Sequence, residues 1–207
     1  MLVLVAGVYL AEFTGLLGVH TVTVTGVRAL TADEVRAAAA IPDGQPLARI
    51  DVDGVAERVR ALAGVERVAV ARSWPGTVRI TVTERHGVAL VSRDGGLWLV
   101  DGGGVVFQRL TRRPRLPLLA LPDVRPDNPA ARAALTAVAA LPAPVTAQVA
   151  QVKAATPEQV TLVLTGARTV LWGGAEESAA KAAVLQALLS RPGRHYDVST
   201  PSVVAVR

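Results

Sequence analysis

The residues of this sequence that could do chemistry are few and far apart. Its histidines are His20, His86 and His195, and no two of them have the spacing of a metal-ligand pair. With no cysteine, the chain has no disulfide, thiolate metal site, thiol nucleophile or S-acylation site. Asp101-Gly102-Gly103-Gly104 has the composition of a phosphate-cradling loop. Such a loop meets its anion at a helix N-terminus, whereas this one lies between two strand-like runs and reads as a hairpin turn. Glu176 and Glu177 open a helical run, where they read as charges complementing the helix dipole rather than as an acid–base pair. No serine stands in a nucleophile-elbow pattern. The expectation is a chain with no catalytic, cofactor or metal site and no small-molecule substrate, acting by binding.

The elements around these residues are organised on one stretch, Val65 to Arg85. Val68 and Val70 alternate with small or polar neighbours, and Val78, Ile80 and Val82 do the same after a break. That is the period of two strands, each with one buried face. Trp74-Pro75-Gly76-Thr77 supplies the turn, which the proline and glycine predict to be type II, with positive φ at Gly76. Arg67, Arg79, Thr81, Thr83 and Arg85 are expected on the wet face. Ahead of the hairpin, Val19 to Thr25 alternates as a strand, and Thr31-Ala-Asp-Glu34 is a capping box opening a helix to about Ala40. A second helix begins at Asp51 or Asp53, with Gly64 suited to its C-cap. Strand, helix, helix, strand, strand predicts two helices on one face of a three-stranded sheet.

A second region starts near Gly87. Short strands are expected at Val88–Val91, Leu97–Val100 and Val105–Phe107, with Leu116-Pro117-Leu118-Leu119 extended. An alanine-rich helix follows at Ala130–Leu141, then strands at Val149–Ala154, Gln159–Leu164 and Thr169–Trp172. A helix over Glu176–Leu189 and extended segments at Asp197–Ser199 and Val203–Val206 complete a mixed sheet with two helices. His195 is expected in a loop. The fold class predicted for the whole chain is α+β.

The net charge of +5 and pI near 10.6 invite a nucleic-acid reading. The positive charge is nearly all arginine spread along the chain, with no basic helix or aromatic-basic platform, so nucleic-acid binding is not expected. Aromatic residues make up only 3%, and each tryptophan is expected to mark a packing centre. At the start, Met1 to Leu10 is apolar without a charge, Glu12 interrupts, and Phe13 to Val19 is apolar or small. The run is short against the roughly 20 residues a span requires, and no positive charge precedes it. It reads as the outer half of a single-pass anchor whose cytoplasmic beginning lies upstream.

In this order the residues resemble the FtsQ/DivIB bacterial cell-division proteins. Three matches carry the resemblance: Val19 to Gly26 (VHTVTVTG) after the apolar run, Arg72-Ser-Trp74-Pro75 with the strand ending Glu84-Arg85, and Leu97 to Phe107 (LWLVDGGGVVF). The LPLL stretch, the Glu176 helix and the YDVS segment follow in the expected order. One departure is Gly87 ahead of Val88-Ala89, where the family usually has proline. The resemblance implies an anchor remnant at 1–18, a POTRA domain at 19–86 and a larger β domain at 87–207. It further implies a non-enzymatic divisome scaffold at the septum, single-pass in the cytoplasmic membrane with its bulk outside the cytoplasm.

The implied partners are FtsB and FtsL, captured by β-strand addition at the last strand's open edge. The docking face carried over is Asp197, Val198, Ser199, Thr200, Val203, Val204, Ala205, Val206 and Arg207. Arg72, Trp74 and Pro75 form a second candidate surface. The alternative is a POTRA-bearing protein of export or outer-membrane assembly, which would need further POTRA repeats or a barrel sequence.

Overall fold

The computed structural model describes residues 18–202 and the backbone of residues 205–206. The expected anchor falls on residues outside this range, apart from Gly18. Among the described residues, no helix is long and apolar enough to cross a membrane. The chain divides into two compact units, up to Arg85 and from His86.

The first unit runs β1 (Thr21–Thr25), α1 (Ala32–Ala39), a 3-10 turn at Leu47–Arg49, α2 (Val52–Arg60), β2 (Val65–Ser73) and β3 (Thr77–Glu84). Its sheet has the order β1-β3-β2, with β1 parallel and β2 antiparallel to the central β3. Register sets Val24 and Val70 on either side of Ile80 and pairs Val68 with Val82, so the branched residues share one face. Val35, Ala39, Val55 and Val59 of the two helices are buried in the same core as Val78, Ile80 and Val82. Each of these valine and isoleucine side chains contributes about 1.5–3 kcal/mol on burial. The opposite face carries Arg67, Arg79 and Thr81, all exposed as the alternation predicts.

Side chains tie the ends of these elements. Thr31 and Glu34 form the predicted capping box, Thr31 Oγ1 accepting from Glu34 N–H at 3.2 Å and Glu34 Oε2 from Thr31 N–H at 2.7 Å. The Thr31 backbone bond, then its hydroxyl, hold the Glu34 carboxyl below its ordinary pKa. The Glu84 carboxylate accepts from the consecutive N–H groups of Arg28, Ala29 and Leu30 at 2.7, 2.9 and 2.8 Å. Arg85 is no wet-face residue: its guanidinium donates to the Ala63 and Val65 carbonyls.

Three local expectations are corrected. The loop between β2 and β3 is Trp74-Pro75-Gly76, closing the pair Ser73↔Thr77. Trp74–Pro75 is cis, and Gly76 is not among the positive-φ glycines, so the turn is not type II. Gly76 is glycine for a different reason: a Cβ there would come within 2.7 Å of the Gly18 carbonyl. Helix α2 is capped by Ala61 rather than Gly64, because Leu62 N–H and Val65 N–H close a further tight turn that already delivers the chain to β2.

The second unit is one nine-stranded sheet. Its strands are β4 (Ala89–Arg93), β5 (Gly96–Val100), β6 (Val106–Leu110), β7 (Leu118–Ala120), β8 (Val149–Ala154), β9 (Val160–Leu164), β10 (Arg168–Gly173), β11 (His195–Asp197) and β12 (Ala205–Val206). The helices are α3 (Pro129–Ala140), a single turn α4 (Ala143–Thr146) and α5 (Ser178–Leu188). The order across the sheet is β12-β11-β10-β9-β8-β7-β4-β5-β6, with parallel joints at β4/β7, β7/β8 and β10/β11. α3 packs on β8, β9 and α5, burying four alanines together with Leu135 and Val138. Asp101 makes the predicted hairpin turn, its Oδ1 accepting from Gly103 and Val105 N–H at 2.9 and 2.8 Å.

Two further expectations change here. α5 begins at Ser178, with Glu177 at the N-cap at φ +51, so neither glutamate lies in the first turn. The chain has to double back between β10 and α5, and it does so through the left-handed conformations of Gly173 and Glu177. His195 is the first residue of β11 rather than a loop residue, its Nδ1 sharing a 2.7 Å hydrogen bond with Thr169 Oγ1 on β10.

Candidate docking edge

Trp172 on β10 is fully buried in the core that also holds Tyr196 of β11 and the following Val198. Its indole N–H donates to Ser178 Oγ at 3.3 Å, and that hydroxyl donates to the Ala175 carbonyl at 2.7 Å. The ammonium of Lys181, 3% exposed, donates to the Gly174 carbonyl at 2.9 Å. These bonds fix the 173–177 bend by its carbonyls, polar groups that would otherwise be costly to bury.

The bend in turn sets where the chain leaves β11. Gly173, at φ +76, lies so close to Ser199 that a Cβ on it would stand 3.0 Å from the serine Cβ. Asp197 Oδ1 accepts from both the N–H and the hydroxyl of Ser199, at 3.0 and 2.7 Å, a side-chain turn that redirects the chain. Val198 is fully buried and its N–H donates to the Leu171 carbonyl at 3.0 Å. Thr200 is exposed.

β12 then pairs antiparallel with β11 through Tyr196↔Val206 and Asp197↔Ala205. It ends the sheet order, and no described strand lies beyond it. A ladder of two residue pairs leaves alternate peptide N–H and C=O groups pointing outward, the chemistry that strand addition uses. Of the residues carried over from the sequence, Asp197, Ser199, Ala205 and Val206 come together around this turn and ladder. Val198 is core. Val203, Val204 and Arg207 lie outside the described residues. Gly173 and Lys181 were missed, although a Gly-Gly pair between strand and helix signals a forced bend.

The second candidate surface divides. The Arg72 guanidinium is spent inward, donating to the Ile50 carbonyl at 2.7 Å. Trp74 is 60% exposed, which reverses the expectation that every tryptophan marks a packing centre. Hairpin tips project from the sheet, so a turn residue has nothing to pack on unless another element covers it. Trp98 is half-buried against the core and Trp172 follows the expectation fully. His20 and His86 are exposed, and among the described residues no cluster of His, Cys, Asp or Glu could hold a metal ion.

Comparison with known proteins adds two family matches. Residues 17–85 match the family described as POTRA domain, FtsQ-type, and residues 89–204 that described as Cell division protein FtsQ/DivIB, C-terminal. The chain is 38% identical over 198 residues to a protein of Mycolicibacterium smegmatis named Cell division protein FtsQ, covering 96% of this chain and 60% of that protein. A protein of the same name from Streptomyces bingchenggensis is 40% identical, over 92% of this chain and 76% of its own length. One from Streptomyces collinus is 37% identical, over 99% and 84%.

Proposed function

Since the chain belongs to the FtsQ/DivIB family of cell-division proteins, we propose that it is a non-enzymatic scaffold of the divisome that captures FtsB and FtsL by strand addition at β12. One observation carries this reading: β12 closes the sheet order with pairing on one side only. A partner strand laid along it would satisfy the outward peptide groups and turn a two-pair ladder into an interior strand. The buried bend of Gly173 and Lys181 and the Asp197–Ser199 turn would hold β12 in place, so little ordering entropy would remain for binding to overcome.

In this proposal residues 1–18 are the outer part of a single-pass anchor in the cytoplasmic membrane. Confinement to the membrane raises the effective concentration for partners anchored there, with both folded units on the extracytoplasmic side at the septum. FtsQ appears in the descriptions of both matched families, which favours division over export or outer-membrane assembly.

The test is capture of the extracytoplasmic segments of FtsB and FtsL by the full chain in detergent, beside a variant with Val204→Pro and Val206→Pro. Proline removes the backbone donor a paired strand needs, and circular dichroism checks that the variant folds. The expected outcome is capture by the wild type and loss in the folded variant. Capture by both moves the site off β12, and capture by neither overturns the scaffold reading.

A further inference from the structure

The Trp74 turn is fastened to the point where the apolar N-terminal run ends. The Gly76 carbonyl accepts from His20 and Thr21 N–H at 2.9 and 3.3 Å. Gly76 itself is buried, and a Cβ there would meet the Gly18 carbonyl at 2.7 Å. Two residues away, Trp74 and Pro75 are exposed. Two residues reach at most about 7 Å, so the Trp74 backbone stands close to Gly76, which itself packs on the Gly18 carbonyl at the end of the apolar run. Trp74 and Leu171 are the exposed large hydrophobic residues of the described chain, and Trp74 is the more exposed at 60% against 44%. Its indole N–H has no hydrogen-bond partner among the described residues.

We infer that Trp74 rests in the headgroup zone of the bilayer and sets the height and tilt of the first unit above the membrane. This rests on the anchor reading of residues 1–18. A chain leaving the hydrocarbon at Gly18 carries the turn down with it, and the interfacial zone on each side is about 5–8 Å deep. Tryptophan suits that zone because the ring body is apolar while the N–H finds water or lipid oxygens. A tip aromatic lodged there gives the first unit a second point of contact besides the tether. Pro75 stiffens the tip, so the indole is presented without a flexible loop to order. The occupant is thus a lipid surface rather than a protein groove, because the turn is bonded to the backbone of residues 18–21, into which the apolar run leads.

The test uses the full chain reconstituted into phosphatidylcholine liposomes, with and without lipids brominated near the head of the acyl chain. Tryptophan emission is read for the wild type and for Trp74→Phe, which keeps an apolar ring but removes the fluorophore. Flotation with the liposomes and resistance to alkaline carbonate report on the anchor separately. The expected result is bromolipid quenching of the wild type that falls to background in Trp74→Phe, with unchanged circular dichroism. A chain that floats but shows no quenching, or the same quenching in both proteins, overturns the inference and leaves the anchor standing. A chain that neither floats nor resists carbonate overturns both.

Discussion

The two edges of the nine-stranded sheet are built in opposite ways. At one end β6 is five residues long, with exposed Arg109 in it and exposed Arg112, Arg113 and Pro114 just beyond. At the other end β12 is two residues long and joined by two residue pairs. Charges and proline on an edge are the usual guard against pairing with a second chain, since an added strand would bring like charges together or lose a donor. β6 is guarded in that way. β12 carries its arginine after the strand rather than within it. The contrast teaches that two strands can both end a sheet order and still differ in how pairing with a further strand is deterred.

That contrast can be broken from below. Trp172→Ala should cost about 3–5 kcal/mol of stability in urea denaturation, as a buried tryptophan leaves a cavity. Capture of FtsB and FtsL should then fall even where the sheet still folds, because Tyr196 and Val198 lose a neighbour in the core they share with Trp172. Gly173→Ala is the sharper change: its positive φ and the 3.0 Å approach to Ser199 should together cost about 1–3 kcal/mol. Partner affinity, read by titration, should drop about tenfold for each 1.4 kcal/mol that displaces β12. Equal affinity in the folded Gly173→Ala variant would show that the bend does not position the edge.

The guarded edge should answer differently. Arg112→Glu with Arg113→Glu should change stability by no more than about 0.5 kcal/mol and leave capture untouched. Replacing Arg109, Arg112 and Arg113 by valine should instead produce self-association in sedimentation, as the guard disappears. The smallest effect is on the first unit. Glu34 has its folded pKa lowered, so its contribution is present at neutral pH and is lost as pH falls through that depressed value. Amide exchange at Thr31 and Glu34 should quicken over that interval and do so less in Glu34→Gln, whose amide oxygen is a weaker acceptor that does not titrate.

Much of this was legible along the chain, and particular residues show why. Thr31 and Glu34 cap a helix through atoms three residues apart, so the capping box was readable where it stands. Asp101 and its glycines form a hairpin turn for the same reason. The turn at Trp74 was placed but its geometry was not, because the closing contact is the Gly18 carbonyl, remote in sequence. The role of Arg85 was misjudged for a similar cause: strand alternation assigns a face, while its guanidinium turns back to the Ala63 and Val65 carbonyls.

By itself the sequence determined the elements, their order, the faces they bury and the family resemblance, since alternation, capping and turn chemistry are all encoded within a few neighbouring residues. Which strands became edges was decided only in the tertiary structure. β7 lies between β4 and β8, and β11 runs parallel beside β10 after an intervening helix, neither of which a local period specifies. Strand order depends on pairings between residues distant in the chain, and the same alternating pattern fits a central strand or a border one. The placement of Ser199 against Gly173, and of Glu84 against residues 28–30, has the same origin. Packing brings those groups together, and only once they meet can a missing Cβ or a carboxylate set the shape of an edge.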